Sequence, residues 1–233
     1  MKTFNKRQKK IQEQFKGVKK ETKSFEIEEA IKILKGLPPV KFDQTLNLAV
    51  NLGVDSKKSE QQIRGAVSLP HGIGKTRKVI VFATGDDAKA AKDAGADEVG
   101  SDELAKKVQD GWMDFDVAIA PPSMMRNISK LGKVLGPQGK MPSPKNGTVT
   151  ENIANAVKEF KAGKVEYRMD AGGVVHAPVG KISFSDSFIK ENIEQFIEHL
   201  QNQRPAATKG IFIKKVTMSA TMSPGFVLNV KNK

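Results

Sequence analysis

Apolar and polar residues alternate near both ends of the chain. Strict alternation along Thr45–Leu52 predicts a strand with one buried and one open face. The same pattern predicts a strand over Ile211–Met222, and the runs Val165–Arg168 and Val179–Phe184, separated by Gly172-Gly173, predict a hairpin. Strands of this kind are typical of antiparallel or mixed sheets that face solvent on one side.

The middle of the chain follows a different pattern. Val79–Ala83 and Val117–Ala120 are continuous apolar runs, which predict strands covered on both faces. Helical patterns over Asp86–Ala94 and Asp102–Gln109 separate these strands. Strands that alternate with helices indicate an α/β layer domain with a parallel sheet.

Amphipathic helices accompany the half-buried strands. An apolar stripe from Ile27 to Leu34 predicts one helix, and a second is predicted over residues 188–200. A further helix over Glu151–Lys161 leads out of the middle region. Residues 2–23 are consistent with either a Lys-rich helix or a solvated tail.

The half-buried pattern occurs on both sides of the fully buried pattern, so we expect two domains. One is built from residues 1–66 and 162–233, and the other, residues 67–161, is inserted into it. The two chain crossings, near Gly65–Gly72 and Ala162-Gly163, could then act as a hinge. The alternative is a single continuous α/β domain, which this chain length also allows.

The charge of the chain favours a polyanionic partner. Lys and Arg number 39 against 26 Asp and Glu, a formal net charge of +13. Residues 1–23 form a basic N-terminal extension. The first 25 residues carry nine Lys and Arg against two Glu, and residues 164–233 carry ten against six. Each phosphate that Lys or Arg neutralises releases counterions, so a basic surface binds nucleic acid. The alternative is that the charge only aids solubility.

Enzymatic chemistry has little support in the sequence. The chain has no Cys, and its three His residues stand at no metal-binding spacing, so neither a metal nor another cofactor is expected. Gly72–Thr76 ends like a phosphate-binding loop, but Leu69 occupies the position of the first glycine and Lys78–Phe82 reads as a strand. Apolar runs are shorter than the roughly 20 residues needed to cross a bilayer, so no membrane partner is expected.

A polar row on the last predicted strand suits RNA. Its members are Lys215, Thr217, Ser219 and Thr221, and hydroxyl groups both donate and accept hydrogen bonds to ribose and phosphate oxygens. A solvated strand face explains the same row equally well. The pair Lys41-Phe42 also has two interpretations: it could contact RNA, or Phe42 could pack on the preceding helix.

A Gly- and Pro-rich segment, residues 132–147, is expected to be irregular because proline fits neither a helix interior nor a central strand. Within it, Leu135–Val149 closely resembles the signature of the L-one family of large-subunit ribosomal proteins. Further stretches resemble the family in the same order: Lys41–Thr45, Arg64-Gly65, Leu69–Gly72, Gly111–Asp116, His176–Lys181 and Ser219–Pro224. The resemblance extends from about Phe25 to Leu228.

The resemblance implies a fold and a function. The fold is mixed α/β and α+β in two domains: a discontinuous ferredoxin-like domain, with an inserted Rossmann-like three-layer α/β domain. The implied function is that of a cytoplasmic, non-enzymatic constituent of the large ribosomal subunit, monomeric when free of the ribosome. The implied partners are the stalk of the large-subunit rRNA, the exit-site tRNA whose release it assists, and its own operon mRNA, whose translation it represses.

The family's RNA-contacting stretches map onto both ends of the chain. They imply RNA-binding roles for Lys41, Phe42, Thr45, His176, Lys181, Ser219, Thr221, Met222 and Ser223, which join Lys215 and Thr217 of the polar row. One residue departs from the family pattern, because Ser223 stands where the family usually has glycine. If RNA must approach the backbone closely there, the Cβ of Ser223 weakens that contact, although its hydroxyl still offers a hydrogen bond.

Overall fold

A computed structural model describes residues 6–14, 24–206, 208 and 210–230. Its strands are β1 (Thr45–Leu52), β2 (Arg64–Val67), β3 (Val79–Phe82), β4 (Glu98–Gly100), β5 (Val117–Ile119), β6 (Val165–Arg168), β7 (Val174–Lys181), β8 (Ile213–Ala220) and β9 (Phe226–Leu228). Its helices are α1 (Lys6–Gln14), α2 (Ile27–Lys35), α3 (Asp86–Asp93), α4 (Asp102–Gln109), α5 (Met125–Ile128), α6 (Gly132–Leu135), α7 (Ile153–Ala162) and α8 (Asp186–Asn202). The fold is mixed α/β and α+β, as predicted.

The described chain divides into two units. Unit 1 contains the residues up to Ile63, the short segment Leu69–Ile73 and the residues from Tyr167 onward. Unit 2 contains Arg64–Ser68 and Gly74–Glu166. Both ends of the chain therefore contribute to unit 1.

Unit 1 contains a four-stranded sheet in the order β7-β1-β8-β9, in which each neighbouring pair is antiparallel. Leu46, Leu48 and Val50 of β1 are buried, whereas the residues between them are partly or fully exposed. Helices α2 and α8 pack beside the sheet through their apolar faces. One face of the sheet is thus covered and the other open, as the alternation predicted.

Unit 2 contains a parallel three-stranded sheet in the order β4-β3-β5. All four residues of β3 are buried because apolar clusters lie on both faces. Phe160 of α7 and Ala91 of α3 belong to one cluster, while Leu104 of α4 and Leu131 belong to the other. The continuous apolar run at 79–83 is explained by this double coverage.

Several element boundaries differ from the prediction. The runs predicted to form a hairpin do not pair as one: β7 pairs with β1, β6 belongs to another sheet, and an isolated bridge between Met169 and Val175 joins the two segments. The strand after the turn is β7, Val174–Lys181, so its prediction over Val179–Phe184 was also wrong at both ends. The strand begins immediately after the turn because the Asp170 carboxylate accepts hydrogen bonds from the N–H groups of Gly172 and Val174, both at 2.8 Å. Such a side-chain cap holds a tight turn without intervening residues.

The Gly- and Pro-rich segment is more regular than predicted. Gly132–Leu135 forms a short α-helix and Pro144–Asn146 a 3₁₀ turn, so the expectation of irregular structure throughout was wrong. Pro144 starts its turn, where the missing N–H has no helical partner to lose. The short strands β2, β4 and β9 were not predicted, because three or four residues carry too little periodicity.

Candidate nucleic-acid interface

The open face of the unit 1 sheet displays a row of polar side chains. On β1, Asn47 lies opposite Ser219 of β8, and Ala49 lies between Thr217 of β8 and His176 of β7. Residues directly opposite one another in an antiparallel pair point to the same face of the sheet. The polar row inferred from sequence therefore continues across three strands.

One end of this sheet gathers the densest group of predicted site residues. Lys181 is the last residue of β7, and its Nζ donates a hydrogen bond to Oγ1 of Thr45 at 2.9 Å. The Thr45 N–H donates to Oγ1 of Thr221 at 3.2 Å, and the Thr221 N–H donates back to the Thr45 carbonyl oxygen at 3.0 Å. We call Thr45, Lys181 and Thr221 the sheet-end cluster. Because Lys181 has three ammonium protons, it retains donors for a phosphate.

The turn after β8 projects Met222 into solvent. Met222 has φ 62°, the one positive value among the described non-glycine residues, and its side chain is 69% exposed. The left-handed region costs about 1 kcal/mol or more for such a residue, so the surrounding contacts must hold it there. An exposed thioether side chain offers an adaptable apolar contact.

Ser223 supports this turn through its side chain. Its Oγ accepts a hydrogen bond from the Ala220 N–H at 2.8 Å and lies 2.9 Å from the Ala220 carbonyl oxygen. Its backbone is not left-handed, since Met222 carries the positive φ of the turn. The glycine of the family pattern is therefore not required here by backbone conformation.

Lys41 and Phe42 lie in the segment between α2 and β1, and both are exposed. Phe42 is 50% exposed, so its packing on the preceding helix is at most partial. The segment is fixed behind this ring, because the Asp43 carboxylate accepts a hydrogen bond from the Ser183 hydroxyl at 2.8 Å. An aromatic ring held open in this way is a surface on which a base or ribose can stack.

Not every predicted residue lies near the sheet-end cluster. Lys215 pairs with Asn51, six residues along β1 from Thr45 and therefore roughly 20 Å away. His176 is the third of the eight residues of β7, and its Nε2 is 3.7 Å from the Asp170 carboxylate. Hydrogen bonds from the Val174 and Gly172 N–H groups, together with His176, lower the pKa of Asp170. His176 thus neighbours a carboxylate that stays charged.

Two asparagines and one arginine were missed as site candidates. Asn47 and Asn51 are exposed on the open face of β1, where the alternation of the sequence already placed them. Arg7 contacts the Met222 turn from α1, with Nη1 2.7 Å from the Met222 carbonyl oxygen. No sequence pattern distinguishes Arg7 from the other cations of the basic extension.

The side chains considered for catalysis or metal binding have other partners. His71 Nε2 lies 2.6 Å from a Glu191 carboxylate oxygen, and His199 Nε2 lies 3.0 Å from the Tyr167 hydroxyl. Lys75 of the loop-like motif donates to the Asp116 carboxylate at 3.1 Å. The described residues contain no group of three potential metal ligands, and none of the helices among them is long and apolar enough to cross a membrane.

The Gly- and Pro-rich segment contacts the rest of unit 2 through Lys140. Nζ of Lys140 donates hydrogen bonds to the carbonyl oxygens of Met113 at 3.0 Å and Phe115 at 2.6 Å. It also lies 4.9 Å from the centre of the Phe115 ring, a cation–π contact. The ammonium group of Lys140 therefore has its partners within unit 2.

Comparison with known proteins gives a consistent result over almost the full chain. Residues 27–224 match the model of the ribosomal protein L1p/L10e family. The chain is 50% identical over 229 residues to large ribosomal subunit protein uL1 of Saccharophagus degradans, covering 98% of this chain and 97% of that protein. Proteins of the same name are 52% identical in Chlamydia abortus (90% of each chain) and 53% identical in Kosmotoga olearia (89% of this chain, 90% of that protein).

Proposed function

Since the chain belongs to the ribosomal protein L1p/L10e family, we propose that it binds the stalk of the large-subunit rRNA through the sheet-end cluster and its two flanking segments. The chain is a structural constituent of the large ribosomal subunit and not an enzyme.

The observation that carries the proposal is the sheet-end cluster. Thr45 of β1, Lys181 of β7 and Thr221 of the turn after β8 hold one another through hydrogen bonds of 2.9 to 3.2 Å. Exposed Phe42 and Met222 flank them on the adjoining segments. A fixed set of hydroxyl, cationic and apolar groups fits a pre-folded RNA, because little ordering is needed on binding.

Recognition then depends chiefly on RNA shape. Lys41, Lys181 and, at the far end of the open face, Lys215 supply the salt-dependent attraction to phosphates. Thr217 and Ser219 offer hydroxyl groups to ribose 2′-hydroxyls, which distinguish RNA from DNA. Because the lysines supply the attraction and the shape of the site supplies the selectivity, we expect the affinity to fall strongly with salt and to be selective for one RNA fold.

Residues 1–66 and 162–233 form the RNA-binding domain, and the protein is a monomer away from the ribosome. Attached to the stalk, it takes part in releasing deacylated tRNA from the exit site. It represses its own operon when an mRNA segment with the shape of the stalk occupies the same surface, so the two RNAs exclude each other.

A titration with isolated stalk RNA tests the proposal. At about 200 mM salt, the chain is expected to bind this RNA at least 100-fold more tightly than an unrelated RNA duplex of equal length. Unlabelled operon mRNA should displace the stalk RNA completely. Comparable affinity for stalk RNA and duplex would contradict specific recognition, and a ternary complex with both RNAs would contradict a shared surface.

A further inference from the structure

Helix α1 contacts both segments that flank the sheet-end cluster, and it does so through one side chain. Arg7 Nε donates a hydrogen bond to the Pro38 carbonyl oxygen at 3.0 Å, in the segment that leads to Lys41 and Phe42. Arg7 Nη1 donates to the Met222 carbonyl oxygen at 2.7 Å. A single guanidinium group therefore bridges two chain segments that are far apart in sequence.

The docked face of α1 is defined by two residues one turn apart. Ile11 is 6% exposed and stands four residues after Arg7, so both side chains lie on the same side of the helix. Lys9 and Lys10 are exposed. Apolar burial at Ile11 and the paired hydrogen bonds of Arg7 thus fix the helix in one orientation.

The contacts of Arg7 differ from those of an arginine that binds phosphate. Two of its nitrogens already donate to backbone carbonyl oxygens, and the third, Nη2, is buried with no partner among the described residues. A guanidinium group that binds phosphate needs donors directed to solvent. Nε and Nη2 therefore face the protein, and Nη1, at the surface, already donates to the Met222 carbonyl oxygen.

We propose that Arg7 is a positioning residue of the RNA site, a role that rests on the proposed function and gives α1 a specific task. The bond to the Met222 carbonyl oxygen stabilises a left-handed turn that a methionine adopts only at a cost in free energy. The hydrogen bond to the Pro38 carbonyl oxygen fixes the position of the segment that carries Phe42 relative to that turn. Arg7 thereby reduces the ordering that RNA binding would otherwise require.

The test compares Arg7→Ala and Arg7→Lys with Lys10→Ala, which removes the same charge from an exposed position of the same helix. Arg7→Ala is expected to raise the Kd for isolated stalk RNA by on the order of tenfold, and Lys10→Ala by less than about twofold. Arg7→Lys falls between them, because an ammonium group reaches only one of the two carbonyl oxygens.

The salt dependence separates positioning from direct contact. If Arg7 acts through the turn, the slope of log K against log salt in Arg7→Ala equals that of the wild-type chain. Loss of a phosphate contact would make the slope shallower by about 0.7 to 0.9, and that result would overturn the proposal. An unchanged Kd in both Arg7 variants would overturn it equally.

Hydrogen exchange gives a second readout that needs no RNA. The N–H groups of Thr221 and Ser223 donate to the carbonyl oxygens of Thr45 and Ala220, both at 3.0 Å. Their exchange should accelerate in Arg7→Ala or, if that variant does not fold, in Arg7→Lys, and not in Lys10→Ala. Unchanged exchange would refute positioning. Failure of the wild-type chain to bind stalk RNA would instead refute the proposed function alone.

Discussion

Thr45 and Thr221 hold each other by three hydrogen bonds although 176 residues separate them in sequence. The Thr221 N–H donates to the Thr45 carbonyl oxygen at 3.0 Å, and the Thr221 hydroxyl lies 3.3 Å from the same oxygen. The Thr45 N–H donates to the Thr221 hydroxyl at 3.2 Å. The beginning of β1 and the turn after β8 therefore form one unit, and RNA that contacts either segment encounters both.

Thr221→Val keeps the shape of the side chain but removes its hydrogen bonds to Thr45. We expect the Kd for stalk RNA to rise about tenfold and the free energy of unfolding to fall by about 1 to 2 kcal/mol, because the Thr45 N–H loses its acceptor. Filter binding and urea denaturation measure the two effects. Thr84→Val, an exposed position in unit 2, is the matched control and should alter neither quantity appreciably. Equal behaviour of the two variants would exclude a role for this contact.

Much of unit 1 follows from alternation in the sequence. The predicted strand Thr45–Leu52 has the same bounds in the structure, because one buried face requires an apolar residue at every second position. The predicted helix through Ile31 and Leu34 is likewise confirmed. Periodicity identifies which face of an element is buried, and that information is sufficient to place Thr217 and Ser219 on the open face.

Side-chain contacts with distant backbone groups were not predictable in this way. Arg7, Asn192 and Lys140 each donate to backbone carbonyl oxygens from distant segments, and such oxygens are present at every residue. A sequence therefore gives no sign of which carbonyl group a side chain will reach. In the same way, Asn192 bonds to His71 and Gly72 of the segment Leu69–Ile73, which belongs to unit 1.

Asn192 is fully buried in α8 and satisfies three backbone groups. Its Nδ2 donates to the carbonyl oxygens of Gly72 at 3.0 Å and Val179 at 2.8 Å, and its Oδ1 accepts from the His71 N–H at 3.2 Å. Asn192→Ala is expected to lower the free energy of unfolding by about 3 kcal/mol, because buried polar groups lose their partners. Gln195→Ala, at an exposed position of the same helix, should change it by less than about 0.5 kcal/mol in the same urea titrations. A similarly small effect at Asn192 would contradict the anchoring role.

Lys140 is basic but is expected to contribute to stability rather than to RNA binding. Lys140→Met keeps the aliphatic chain and removes the ammonium group from the carbonyl oxygens of Met113 and Phe115. Calorimetry should show unfolding at lower temperature, equivalent to about 1.5 to 3 kcal/mol, while the Kd for stalk RNA changes by less than about threefold. Lys133→Met is the exposed control from the same segment and should leave the unfolding temperature unchanged. A large loss of RNA affinity in Lys140→Met alone would assign this lysine to the interface.

The stability of the chain should depend on pH through His199. Burial lowers the pKa of His199 below its ordinary value of 6.5. As the pH falls below 6.5, the unfolded chain therefore takes up a proton that the folded chain does not, and the free energy of unfolding declines until the folded-state pKa is passed. His199→Gln retains a hydrogen-bonding group opposite Tyr167 but cannot titrate, so this part of the decline should disappear.

Urea denaturation at a series of pH values measures the difference between wild type and His199→Gln. Above pH 7 the two free energies of unfolding should differ by a constant, and the wild-type value should decline relative to that of His199→Gln as the pH falls below 6.5. Parallel curves across the full range would contradict the lowered pKa of His199.

The most direct test of the account is the affinity of the double variant Phe42→Ala/Thr221→Ala for isolated stalk RNA at about 200 mM salt. The control is Phe188→Ala/Thr84→Ala, because Phe188 is 45% exposed, close to the 50% of Phe42, but lies on α8, where its ring stacks on His71. Both variants should retain the wild-type circular dichroism spectrum. If the sheet-end cluster and its flanking segments bind the RNA, the Kd rises by about 100-fold or more in the first variant and by less than about threefold in the control. A Kd within threefold of wild type in the first variant would contradict the account.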